Sequence, residues 1–171
     1  RFMSAPTQQH LQAAKGVLRY LAGTLDQGVV YSKHHEDGGL VGYGDADYAG
    51  CVDTRRSTSG YVFLCASRTV SWQSKRQTVV ALSTAEAEYI AAAALVREAL
   101  WLQRLERDLL MTKTDVHVSL KTDNQAALHI IRGSMGSRCV KHVEVPFHFA
   151  RDMTEKGKVQ FTYCSTNEMA A

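Results

Sequence analysis

At 171 residues, with 45% hydrophobic and 22% charged residues, the chain is sized and composed for one globular domain, able to bury roughly 70% of its unfolded surface. Two prolines, no low-complexity tract, and no apolar run near the roughly 20 residues of a membrane span exclude a disordered, fibrous or helical-membrane chain. A formal charge of +3 permits a polyanionic partner without demanding one. The four cysteines are scattered and form no C-x-x-C, which fits a reduced intracellular protein. Cys139-x-x-His142 would be half a zinc site, but it lacks a second half and reads as chance. The opening "RFMSAPTQQH" has neither a signal-peptide core nor an initiator Met, as expected of a piece of something longer.

The first element is a helix over "TQQHLQAAKGVLRYLAGT". Thr7 can cap it, Leu11, Ala14, Leu18 and Leu21 recur at helical spacing, and Gly23 can end it. "GVVYSK" and "GLVGYGDA" then read as strands split by the turn-like "HHEDGG". "SGYVFLCA" and "TVSWQSK" read as two more, joined by "SR" as a hairpin, and "QTVVAL" as a short further strand. Next comes the longest signal, "STAEAEYIAAAALVREALWLQRLERDLL", whose alanine and leucine content favours helix. Strand "DVHVSLKTD" and helix "NQAALHIIRG" follow, the helix closed by Gly133. A further helix runs through "VEVPFHFARDMTEKG", with Val143, Phe147, Ala150 and Met153 on one stripe. "KVQFTYC" is a last strand, and "TNEMAA" reads as the start of a helix that is cut off. Trp101, in an apolar helix, and Trp72, alternating with Val70, are expected in the core. The order implies a mixed sheet with helices packed on it, an α/β layered fold.

Three element ends carry carboxylates. "YGDADYAG" places Asp45 and Asp47 just past an apolar run. Such aspartates can simply organise a turn, or can hold a metal. On the long helix, Ser83-x-x-Glu86 fits a capping box in which Glu86 reaches back to the cap residue, and Glu86 shares a polar face with Arg97 and Arg104. Glu88 instead heads the stripe Ala92, Leu95, Ala99, Leu102, which should be buried. A carboxylate there is costly without a partner, and a metal ion would be one. Asp123 ends a strand just before a helix; alone it would read as an N-cap. Together, two strand-end aspartates and one inward glutamate can converge on one point. Oxygen-only ligation suits Mg²⁺ or Mn²⁺, and paired ions are the common clamp for in-line phosphodiester cleavage.

"GYGDADYAGCVDTRRSTSGYVFL", "SWQSKRQTVVALSTAEAEYIAAA", "KTDNQAALHI" and "KHVEVPFHFARD" resemble the ribonuclease H domain of copia-type LTR retrotransposon polyproteins. The resemblance runs from about Leu40 to the carboxyl end. Residues 1–38 resemble the segment, helix plus strand, that joins this domain to the upstream reverse transcriptase; residues 39–171 are then the RNase H-like domain with its C-terminal helix truncated. The resemblance implies an α/β RNase H-like fold, a mixed sheet of five strands flanked by helices, three antiparallel and then two separated by helices. It implies hydrolysis of the RNA strand of RNA–DNA hybrids during reverse transcription, with Mg²⁺ as cofactor and Mn²⁺ as substitute. It places catalysis and metal binding on Asp45, Glu88 and Asp123, and leaves Asp47 mainly a turn organiser. Partners are the hybrid and the reverse transcriptase domain of the same polyprotein, with no membrane. The location implied is the cytoplasm, in virus-like particles, with the nucleus as a second place.

Two departures from the family pattern stand out. The family has a fourth aspartate just past the segment matching "NEMAA", and this sequence stops at Ala171. Hybrid binding is expected to survive that departure better than cleavage. Pro146 stands where the family usually has a polar residue; it either kinks the helix or sits near its first turn.

Substrate phosphates would fall to basic and polar residues: Arg55, Arg56, Ser57, Thr58 and Ser59 beside the first catalytic strand, Lys75 and Arg76, Ser83 and Thr84 at the head of the long helix, and Arg138, Lys141 and His142. Asn124 and Gln125 follow Asp123 and could bond sugar or base edges. His142 and His148 titrate near neutrality but are not assigned to catalysis. A rival reading is an RNase H-like domain kept for nucleic-acid binding or for scaffolding the reverse transcriptase. A second, an integrase-type strand transferase, expects its glutamate after the third acid; Glu88 instead lies between the two aspartates.

Overall fold

Apolar alternation in the sequence becomes a sheet in the computed structural model, which describes residues 2–31, 39–111, 118–133 and 144–170, without the side chains of 144–147. The chain divides into two units, Arg1–Val30 and Tyr31–Ala171.

The first unit is built on α1 (Gln8–Ala22). Thr7 caps it reciprocally: its hydroxyl accepts from His10 N, and His10 Nδ1 accepts from Thr7 N at 3.0 Å. Gly23 ends it, as expected. No residue of α1 is buried, and its apolar stripe of Leu11, Leu18 and Leu21 is exposed. The strand expected over "GVVYSK" is corrected over its described part: residues 28–31 join no sheet ladder. Val29 and Val30 are exposed. Valine favours a strand only where a pleated neighbour offers packing, and here none does.

The second unit holds a five-stranded sheet of β1 (Val41–Asp47), β2 (Thr58–Cys65), β3 (Arg68–Arg76), β4 (Val118–Thr122) and β5 (Val159–Tyr163), in the order β3-β2-β1-β4-β5. β1, β2 and β3 pair antiparallel, while β1–β4 and β4–β5 pair parallel, so the mixed α/β sheet of the sequence reading is present. Its helices are α2 (Thr84–Leu110), α3 (Gln125–Ile131) and α4 (Glu144–Glu155). Pro146 falls in the first turn of α4, where its missing N–H has no intrahelical acceptor to lose.

α2 packs across β1 because β1 offers no side chains there. A Cβ on Gly44 would lie 2.9 Å from Leu95 Cδ2, and one on Gly42 would lie 2.5 Å from Phe63 Cε1 and 2.8 Å from Leu120 Cδ2. Phe63, Tyr89, Leu95, Val96, Val118, Leu120, Ile131 and Phe161 make the centre of the core. The stripe Glu88, Ala92, Leu95, Ala99, Leu102 is buried throughout. No helix among the described residues is long and apolar enough to cross a membrane.

Three further expectations are corrected. "QTVVAL" is not a strand: Gln77 N donates to Ser57 O at 2.8 Å, and then the chain leaves the sheet with Val79, Val80 and Leu82 exposed. These few residues must carry the backbone from β3 at the sheet edge to the cap of α2 at Ser83, so they cannot also pair. Neither tryptophan is in the core; Trp72 is 70% exposed and Trp101 55%. Trp72 lies on edge strand β3, paired with Val62, on the face opposite buried Tyr61 and Phe63. Trp101 sits off the buried stripe of α2. Over its described residues, "TNEMAA" forms one 3₁₀ turn, Thr166–Glu168, and no α-helix.

Candidate metal centre

Asp45 lies in β1 and Asp123 follows the last residue of β4. The two strands are parallel neighbours, with Tyr43 beside Lys121. Carrying that register two residues on brings Asp45 beside Asp123, at the carboxyl ends where open α/β sheets hold ligands. Glu88, early in α2, approaches from the helix that covers β1. One ligand oxygen from each of Asp45, Glu88 and Asp123 lies within 4.8 Å of the others.

The electrostatics are those of crowded, underneutralised carboxylates. Glu88 is buried, and its carboxyl is pushed up to about 8, first by burial, then by the charges of Asp45 and Asp123 and a hydrogen bond with Asp45. The Ala46 backbone N–H opposes the shift by donating to the carboxylate. Among the described residues no basic side chain forms an ion pair with any of the three. Three hard oxygen donors that converge without a cationic side chain among the described residues can hold a divalent metal ion.

Asp123 is not the helix cap. Asn124 takes that position, its Oδ1 accepting from Ala127 N at 2.9 Å, which leaves the Asp123 carboxylate for the centre. Thr166, absent from the sequence reading, donates its hydroxyl to Asp123 Oδ2 at 2.8 Å, and Cys164 N donates to Thr122 O at 3.0 Å to bring that turn to the end of β4. The polar "ST" after an apolar strand was the only hint of it.

Asp47 is exposed at the end of β1 and outside the cluster. Its carboxylate lies over Gly50, where a Cβ would sit 1.9 Å from Oδ2, so it shapes the turn as expected. Glu86 caps, but one residue further back than a capping box demands: Leu82 N donates to its Oε2 at 2.7 Å, while Ser83 Oγ accepts from Glu86 N. It is also buried, whereas Arg97 and Arg104 on the face assigned to it are exposed.

The candidate substrate residues separate. Arg55, Lys75, Ser83 and Thr84 are exposed, and Arg56 and Asn124 half-buried. Ser57 and Ser59 are buried and engaged within the protein, which corrects their assignment to a substrate surface: Ser57 Oγ accepts from Ala49 N at 3.0 Å and Ser59 Oγ from Gln77 Nε2 at 2.9 Å. Arg76 points to Cys51, its Nη1 3.5 Å from Sγ. Arg138, Cys139, Lys141 and His142 lie outside the described residues.

No protein-family model matches the chain. It is 39% identical over all of its 171 residues to the retrovirus-related Pol polyprotein from transposon TNT 1-94 of Nicotiana tabacum, and spans 13% of that protein. It is 35% identical over the same length to the Pol polyprotein from transposon RE1 of Arabidopsis thaliana, spanning 12% of it. Over 102 residues it is 49% identical to the secreted RxLR effector protein 161 of Plasmopara viticola, covering 60% of this chain and 71% of that one. Among solved structures, LC11-RNase H1 in complex with an RNA/DNA hybrid superposes with a TM-score of 0.56 at 16% identity, covering 77% of this chain and 89% of that one. RNase H1 of Halobacterium salinarum superposes with a TM-score of 0.54 at 15% identity, covering 75% and 86%.

Proposed function

We propose that this chain, which matches retrovirus-related Pol polyproteins over its whole length at 35–39% identity and has an RNase H-like fold, is a metal-dependent endonuclease that hydrolyses the RNA strand of RNA–DNA hybrids during retrotransposon reverse transcription. The observation that carries this reading is the convergence of Asp45, Glu88 and Asp123 within 4.8 Å. These residues would hold Mg²⁺, with Mn²⁺ as substitute. Divalent ions bound there supply Lewis-acid chemistry for phosphodiester hydrolysis.

The chain's own part is to gather charge and to position the polyanion. Asp45 and Asp123 fix two carboxylates on a rigid strand pair, and Glu88 must release its proton before it can act as a ligand. Exposed Arg55, Lys75 and Thr84, with Arg56 and Asn124, are suited to phosphate and sugar contacts. Lys141 and His142 remain part of the reading on sequence alone. Residues 1–38 are read as the junction to the reverse transcriptase domain of the same polyprotein, and the working location as the cytoplasmic virus-like particle.

The test is cleavage of an end-labelled RNA–DNA hybrid with Mg²⁺ and with Mn²⁺. Asp45→Asn removes one ligand charge and is expected to abolish cutting while leaving hybrid binding, which depends on salt and on the basic residues, nearly intact. Cleavage by Asp45→Asn at the parent's rate would overturn the assignment.

A further inference from the structure

Gln77 is an uncharged, nine-tenths buried side chain between β2, the strand that flanks Asp45, and α2, the helix that carries Glu88. Its backbone N–H donates to Ser57 O at 2.8 Å, which continues the β2–β3 pairing by one step. Its carboxamide nitrogen then donates twice, to Ser59 Oγ on β2 at 2.9 Å and to Ala87 O on α2 at 2.9 Å. Ala87 O belongs to the peptide that leads into Glu88. Ser59 pairs with Ala46, and its neighbour Gly60 pairs with Asp45. One carboxamide therefore ties the peptide adjoining one metal-holding carboxylate to the strand that flanks the other.

The opposite end of the same group is unsatisfied. Gln77 Oε1 is buried and has no hydrogen-bond donor among the described residues. A buried acceptor left unpaired is a cost that an apolar residue of equal volume would not carry, which offsets part of what the two donations contribute to stability. The two donations, not the burial, are what a glutamine supplies here.

We propose that Gln77 is a positioning residue for the metal centre, clamping the first turns of α2 to β2 and so setting the approach of Glu88 to Asp45. The inference rests on the metal centre proposed above. Groups that orient metal ligands typically control metal affinity by about 10- to 100-fold, and a clamp one bond from the Glu88 residue acts in that way.

The experiment is a calorimetric titration of the whole chain with Mn²⁺, without nucleic acid, beside a thermal melt of each variant. Gln77→Met keeps the volume and removes both donors; it is expected to weaken Mn²⁺ binding about tenfold or more while the melting temperature stays within a few degrees of the parent's. Should Gln77→Met not fold, Ser59→Ala breaks only the strand end of the clamp and is expected to weaken Mn²⁺ binding in the same direction. Asp45→Asn is the control that separates the two readings. If the parent binds Mn²⁺, Asp45→Asn does not, and Gln77→Met (or Ser59→Ala) binds like the parent, the clamp is refuted and the centre stands. If the parent and Asp45→Asn bind alike, or neither binds, the centre itself fails and the clamp with it.

Discussion

In the metal-free chain the Glu88 carboxyl holds its proton to about pH 8, well above the ordinary 4.5, through burial first and then through the charges of Asp45 and Asp123. The sign of the consequence follows from linkage. Between those two values the folded state carries a proton that the unfolded chain has released, so stability falls as pH rises through the window. Below it both states are protonated and the contribution is complete. Glu88→Gln is therefore expected to melt at the parent's temperature near about pH 4 and above it near about pH 8, both in chelator. Mg²⁺ should reverse the order at the higher pH, because binding requires the ionised carboxylate and stabilises only the state that binds. Thermal melts at the two pH values, with chelator and with Mg²⁺, check this. A glutamine variant less stable than the parent at the higher pH in chelator would mean that the carboxyl is not crowded.

At the scale of elements, the contact of α2 with β1 decides whether the three acids meet at all. Gly44 carries that contact, since a Cβ there would meet Leu95 of α2, and Gly42 seats β1 beneath it, where a Cβ would press on Phe63 of β2 and Leu120 of β4 together. Gly42→Ala is expected to cost about 1–3 kcal/mol, the range for overpacking a filled core, and to lower Mg²⁺ affinity by shifting β1. Urea unfolding and a metal titration measure the two effects. Much of this level was legible in the sequence. Strand-like runs set off by turn residues marked β1 to β3, and the stripe from Glu88 to Leu102 marked both the buried face of α2 and the odd carboxylate at its head. What escaped was whatever depends on a neighbour. "QTVVAL" and "GVVYSK" have strand composition, but composition cannot reveal whether a free ladder edge is within reach. Trp72 alternates as a core residue would, yet alternation gives only the face, not what covers it. Thr166 and Gln77 reach their partners across the chain, and spacing along one segment carries no trace of that.

For the whole molecule, the division at Val30 has a direct test. The sheet and all three acids lie in the second unit, so deletion of residues 1–30 is expected to leave the melting temperature and Mg²⁺ affinity of the remainder unchanged. A fall of several degrees on calorimetry would show that the second unit does not fold independently of the first. A different consequence follows from the parallel pairing of β1 with β4, which are joined only after α2 has crossed over. Asp45, Glu88 and Asp123 leave the ribosome in that order, and the third emerges only once β4 has been made. A growing chain that stops short of Val118 carries two of the acids and lacks the strand that completes their alignment. Parallel pairing across a long crossover is also among the slower steps in folding. The centre is thus completed late: its third acid is supplied only after α2 and β4 have been made, so a chain ending before Val118 is expected to lack the ion-binding capacity of the full sheet.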